Sequence, residues 1–282
     1  MSEWINPLHY PGTAVLMNKL EIRDQEHLRR VEYAAANARL RELIAKPIPG
    51  KFDLTHLRAI HKHLLGDVYA WAGQTRDEAF KGQEVVFTKG GTLFALHSEL
   101  KPGADSLFAA LAKENHLRGL RNDKNGFVER LSHYYVELNK VHPFPEGNGR
   151  ATQLFLAQLS REAGYRLDFG KIDKAKWNLA ARESAAGRPG MIVDAFSKIV
   201  SPHRAVAFDK FPPEDACRKF PELRDAFVVL ANAKRLAEQR FKTPADQARF
   251  INEYRTRISH ELHIGNKIAP PTRERPPPPR SR

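Results

Sequence analysis

The sequence predicts a mainly α-helical fold, with one small β-hairpin in its first half and a helical appendage towards the C-terminus. Three observations carry this. Apolar residues recur at spacings of three and four over most of the 282 residues. One short run, Glu84-Val85-Val86-Phe87-Thr88, leaves that period and is β-type, and the Lys89-Gly90-Gly91 that follows permits a tight turn. Clusters of proline and glycine cut the helical patterns into lengths a bundle can pack.

Taken in order, Asn6-Pro7 and Tyr10-Pro11-Gly12-Thr13 read as turns. Asp24 is suited to cap a first helix carrying Leu28, Val31, Ala35 and Ala38, continued by Leu40, Leu43 and Ile44, and Pro47-Ile48-Pro49-Gly50 stops it. Asp53 or Thr55 can cap a second helix with Leu57, Ile60, His61, Leu64 and Leu65 on one face. The hairpin is expected around residues 80–92, and a helix resumes with Leu93, Leu96 and Leu100. A further helix is expected over 104–111, ahead of one carrying Phe127, Leu131, Tyr134 and Leu138. The helix with Leu154, Phe155, Leu156 and Leu159 is apolar on most sides and belongs at the centre of a core; Gly164 ends it. Helices over 173–187 and 190–200 follow. Residues 203–216 read as loop, and helical patterns over 220–241 and 244–262 form the appendage. The expected organisation is residues 1–202 as one domain, 203–265 as the appendage, and 266–282 as a Pro/Arg-rich tail without fixed structure.

The 46 basic and 33 acidic residues give a net charge of +13, which favours acidic partners: nucleotides, nucleic acid or an acidic protein. Cys217 is the single cysteine, so neither an intramolecular disulfide nor a cysteine metal cluster can form. Residues 1–19 lack a basic start followed by an apolar run, and no window has the length of a membrane span. A cytoplasmic site of synthesis is expected, with delivery into a host or recipient cell as the alternative.

Chemistry concentrates in Val141-His142-Pro143-Phe144-Pro145-Glu146-Gly147-Asn148-Gly149-Arg150, between two helical patterns. The start of the second helix offers unpaired N–H groups and partial positive charge to a phosphate. Gly147 and Gly149 let backbone amides approach an anion, Asn148 adds a donor, and Arg150 adds a guanidinium fork. Glu146 is suited to Mg²⁺, which bridges phosphates and keeps most of its waters. His142 titrates near neutrality and can take a proton from a hydroxyl. His61 and His63, two residues apart, share no helical face and read as structural or surface residues. Cys217 reads as inert.

These residues match the Fic (filamentation induced by cAMP) family signature His-x-Phe-x-Asp/Glu-Gly-Asn-Gly-Arg-x-x-Arg at every specified position from His142 to Arg150. Tyr10-Pro11-Gly12-Thr13, Asn18-Lys19 and Tyr69-Ala70-Trp71-Ala72-Gly73 also resemble stretches of bacterial toxin and effector members. The resemblance covers roughly residues 5–200. It implies a Fic-type helical bundle with a β-hairpin flap, and transfer of AMP from ATP to a Ser, Thr or Tyr hydroxyl of a target protein. It makes His142 the general base, Phe144 the loop's anchor and Glu146 the Mg²⁺ ligand. Gly147, Asn148 and Gly149 become the anion hole, and Arg150 the holder of the outer phosphates. The flap segment Glu84, Val85, Val86, Phe87 and Thr88 would hold the target by strand addition.

The sequence departs from the signature once: the second arginine is Gln153. In the family this position binds nucleotide and helps hold the γ-phosphate, so the change bears on rate and nucleotide choice. It also keeps open a second reading, a non-catalytic or weakly active nucleotide-binding interaction module. No Ser or Thr has Glu four residues on, so the family's inhibitory Ser/Thr-x-x-x-Glu motif does not occur in this sequence. Either a small antitoxin-like protein supplies inhibition in trans, or such control is absent.

Overall fold

Asp24 and Asp53 start the first two helices as the sequence reading expects. Each carboxylate accepts the N–H three residues on, His27 at 2.7 Å and His56 at 2.8 Å. The computed structural model describes residues 6–83, 88–89 and 92–269. Helix α1 is Gln25–Ala45 and α2 is Leu54–Leu65. Then come a short turn α3 (Arg76–Ala79), strands β1 (Thr88–Lys89) and β2 (Thr92–Leu93), and helices α4 (His97–Lys113) and α5 (Lys124–Val141). Helices α6 (Asn148–Ala163), α7 (Lys174–Ala185) and α8 (Gly190–Ile199) complete the first unit.

Two units separate in the chain: residues up to 121 with 125–200, and residues 122–124 with those from 201 onward. In the first, α6 packs on α2, α2 on α1, and α7 on α8. Ala151, Phe155, Leu156, Leu159 and Ala163 are fully buried, so α6 is the central helix. Phe155 lies 5.7 Å, ring to ring, from both Phe52 and Phe108. Burying a side chain of that size stabilises by about 1.5–3 kcal/mol. Gly164, at φ +94°, ends the helix in the left-handed cap geometry. Near the N-terminus the Asn18 amide closes a turn, accepting from Leu20 and Ile22 N–H and donating to Leu16 and Ile22 carbonyls.

The second unit contains α9 (His203–Lys210), α10 (Pro213–Lys219), α11 (Arg224–Arg240) and α12 (Pro244–His263). Helices α11 and α12 pack against each other, and Phe208, Leu223, Ala226, Ile258 and Leu262 form a core of their own. The expected tail from Pro270 to Arg282 lies outside the described residues.

Four expectations are corrected. Residues 203–216 are not loop: Pro213 sits in the first turn of α10, where its missing N–H costs nothing, and Ala205, Ala207, Phe208 and Ala216 supply buried faces. Residues 97–113 form one helix, α4, that runs through Pro102. The burial of Leu100, Ala104, Leu107, Phe108 and Leu111 on one side outweighs the hydrogen bond the proline removes. The hairpin pairs Thr88 with Leu93 and Lys89 with Thr92, so Leu93 belongs to a strand. Of the flap residues, Thr88 lies in β1, while Glu84 to Phe87 lie outside the described residues. Finally, the buried stripe of α1 is Leu28, Ala36 and Leu43, whereas Ala38 and Ile44 are exposed. The side chain at the stripe's missing position, four residues from both Leu28 and Ala36, is Glu32.

Candidate active site

The signature forms a loop between the end of α5 and the start of α6. Phe144 is its buried plug, stacked on the His61 ring at 3.8 Å between centroids and 12° between planes. His61 is held twice. Its Nε2 donates to the Glu146 carbonyl at 2.8 Å, and its Nδ1 accepts the Gly73 N–H at 2.9 Å. One donating and one accepting nitrogen define the neutral ring. Burial, aided by the Arg150 charge, depresses the His61 pKa to about 4, although its hydrogen bond to Glu146 opposes the shift. The sequence reading left this histidine as structural or surface; it is the buried post on which the loop rests.

Gly147 begins α6 in the left-handed region at φ +82°. A Cβ there would lie 2.5 Å from Leu65 Cδ1 and 3.2 Å from His61 Nε2, so glycine is required for both conformation and space. The N–H groups of Asn148, Gly149 and Arg150 open the helix without intrahelical acceptors. Gly149 is exposed, and a Cβ there would meet nothing within 4 Å. The Asn148 side chain is engaged differently from the expectation. Its Oδ1 accepts the Phe144 N–H at 2.9 Å and its Nδ2 donates to the Phe144 carbonyl at 2.6 Å. That amide closes the loop, and the backbone N–H is what Asn148 contributes to the helix mouth.

His142 follows the last turn of α5 with φ +45°, a conformation rarely taken by a residue with a side chain, and is 8% exposed. Its N–H still bonds the Leu138 carbonyl at 3.0 Å. Its Nδ1 lies 3.3 Å from the Asn139 carbonyl, an oxygen that can only accept, so a hydrogen bond there has Nδ1 as its donor. The ring stacks on Phe94 at 3.7 Å between centroids and 20° between planes. Phe94 is the residue after β2, so the hairpin runs directly into the wall of the histidine.

Arg76 joins the same parts from below. It is 0% exposed. Its Nε donates to the His142 carbonyl at 2.7 Å, and its Nη2 donates to Ala95 at 2.7 Å and Val141 at 3.1 Å. Its own N–H bonds the Pro143 carbonyl at 2.7 Å. One guanidinium thus fixes the backbone on both sides of His142 to the base of the hairpin. No spacing in the sequence announces it, because the partners of its guanidinium lie 19 to 66 residues away.

Glu146 and Arg150 line the mouth of α6, both partly exposed. A Glu146 oxygen accepts the Gly147 N–H at 2.9 Å and lies 3.9 Å from Arg150 Nη2. A partly exposed carboxylate beside amides and a guanidinium suits Mg²⁺ bound together with phosphates. Among the described residues, no group of three or more His, Cys, Asp and Glu could hold a metal by itself. Gln153 is half-buried on α6, three residues after Arg150. Arg150 Nη2 donates to Glu32 of α1 at 2.5 Å, an ion pair the sequence reading did not foresee.

Comparison with known proteins places the chain among relatives. A sequence profile of the Fic/DOC family matches residues 51–160. The protein adenylyltransferase VbhT of Bartonella schoenbuchensis is 43% identical over 187 residues, 66% of this chain and 37% of that longer protein. The probable protein adenylyltransferase Fic of Escherichia coli K12 is 37% identical over 196 residues, which cover 70% of this chain and 92% of that one. The crystal structure of BepC, a VirB-translocated effector of Bartonella tribocorum with bound AMPPNP, superposes with a TM-score of 0.63 at 28% identity, covering 69% of this chain and 96% of that one. On the helical fold with its hairpin, the motif loop and these likenesses, the chain belongs to the Fic/DOC family.

Proposed function

We propose that the chain transfers AMP from ATP to a Ser, Thr or Tyr hydroxyl of a target protein, with His142 as the general base. The hydroxyl oxygen attacks the α-phosphorus and His142 Nε2 takes its proton. The bond from the α-phosphorus to the bridging oxygen breaks, and pyrophosphate leaves. The observation that carries this reading is the placement of His142: its Nδ1 faces the Asn139 carbonyl, which can orient the ring for proton transfer through Nε2, one loop away from a glycine-led helix N-terminus. The helix-start amides of Asn148, Gly149 and Arg150 stabilise charge on the phosphates, and the Arg150 guanidinium binds the outer ones. Glu146 would hold Mg²⁺, which supplies neutralisation of phosphate charge. Catalysis of this kind is positioning plus electrostatics, and the buried frame of Arg76, His61 and Asn148 supplies the positioning.

The hairpin is the proposed seat for the target's extended segment, through backbone hydrogen bonds to a strand edge. A separate inhibitory protein in trans is the proposed control. The net charge of +13 suits an acidic partner, nucleic acid among them. Among the described residues no helix is long and apolar enough to cross a membrane, and likeness to a translocated effector supports delivery into another cell.

Incubation with cell lysate, Mg²⁺ and ATP labelled on either the α- or the γ-phosphate tests the reaction. Label from α-ATP that is lost in His142→Ala is the expected result. Label from γ-ATP that likewise depends on His142 would mean phosphate transfer and contradict the proposal.

A further inference from the structure

We propose that Glu32 is a positioning residue for the nucleotide: anchored by Tyr69, it fixes the plane of the Arg150 guanidinium for phosphate binding. This rests on the assignment of Arg150 to the phosphates. Glu32 lies on α1, on the side that faces the core, and its side chain is 15% exposed. Both of its oxygens are engaged. Oε1 accepts from Arg150 Nη2 at 2.5 Å and Oε2 accepts from the Tyr69 hydroxyl at 2.6 Å. Tyr69 is itself immobilised, fully buried and stacked on Trp71 at 4.5 Å and 19°. Trp71 in turn lies 6.0 Å from the His61 ring that carries the motif loop. The chain from Tyr69 to Gly73 therefore holds the loop at one end, through His61, and its arginine at the other, through Glu32.

A guanidinium presents five N–H donors in one plane, so a carboxylate fixing one edge sets the direction of the rest. The ion pair takes Nη2; among the described residues, no acceptor is recorded for Nε or Nη1. Those donors keep their capacity for a doubly charged ligand. Fixed direction matters more in this chain than in one carrying the full signature, because Gln153 leaves Arg150 as the motif's one guanidinium. A carboxylate on a phosphate-binding arginine could instead compete with the ligand. That requires Glu32 to give up Arg150 when ATP arrives. Glu32 is mostly buried and held by a buried tyrosine, and releasing its cation would strand a buried charge. The arrangement is built to stay.

The two readings predict opposite signs. Binding of the ATP analogue AMPPNP with Mg²⁺ is measured by calorimetry for the full chain and for Glu32→Ala, Glu32→Gln, Tyr69→Phe and Arg150→Ala. Positioning predicts that Glu32→Ala weakens binding by about tenfold. Tyr69→Phe weakens it in the same direction by less, and both near-isosteric variants remain informative if Glu32→Ala does not fold. In the Arg150→Ala background, Glu32→Ala has no further effect. Tighter binding by the Glu32 variants, unchanged binding, or an equal loss in the Arg150→Ala background would overturn the inference. A wild-type chain that does not bind the analogue would overturn the nucleotide reading itself, and this inference with it.

Discussion

Gln153 stands one helical turn beyond Arg150 on α6, where the signature has a second arginine. A neutral amide in place of a guanidinium forfeits one charge-assisted hydrogen bond to phosphate, about 1 kcal/mol. Gln153→Arg should therefore tighten ATP binding by about fivefold, measured by calorimetry or as a lower KM. An unchanged KM and turnover would show that Arg150 suffices by itself. At this scale the sequence was legible where residues are contiguous. His142, Glu146, Gly147 and Arg150 lie within nine positions, and local geometry brings them to one loop. Asn148 was legible as a loop residue but not in its role, since its amide turns back on Phe144 four residues earlier. Glu32 and Arg76 act over 118 and 66 residues of chain, and such pairings exist only after folding. Glu32 did leave a trace: a charged residue four positions from two buried apolar ones sits on a stripe meant for the core.

At the scale of elements, α2 and the motif loop are coupled through His61. Its pKa is lowered to about 4, so the folded state favours the neutral ring while the unfolded chain binds a proton near pH 6.5. The unfolded state then holds more protons in that interval. Stability from this group is complete above about pH 6.5 and is lost as pH falls towards 4, on the order of 3 kcal/mol in all. Urea unfolding of the wild type and His61→Gln from pH 7 to 4.5 checks this: the wild type should lose stability more steeply than the variant. Parallel curves would contradict it.

Helix α4 gives a second test. Pro102 is exposed within the helix, where it removes a hydrogen bond and crowds the carbonyl four residues back. Pro102→Ala should raise stability by about 1–2 kcal/mol, read from the denaturation midpoint. Caps and strong apolar faces made most elements readable in advance, as at Asp24, Asp53 and the Phe127 to Leu138 face. Misreadings arose where tertiary burial overrode a local breaker, at Pro102 and at Pro212-Pro213. On α1, alternate residues near the stripe hid which face turned inward.

On the scale of the whole molecule, the motif loop, Arg76, Glu32 and the described part of the hairpin all belong to the unit of residues up to 121 with 125–200. The second unit has its own apolar core around Phe208, Leu223 and Ile258. A chain ending at residue 202 is accordingly expected to bind ATP with the affinity of the full chain; weaker binding would place part of the nucleotide's support in residues 203–282. The central claim concerns the reaction. Its most direct measurement is mass spectrometry of lysate proteins after incubation with Mg²⁺, ATP and either the wild type or His142→Ala. The predicted result is AMP attached to Ser, Thr or Tyr side chains with the wild type and none with the variant. Modification that persists in His142→Ala, or the finding of no AMP-bearing protein with the wild type, would contradict the account.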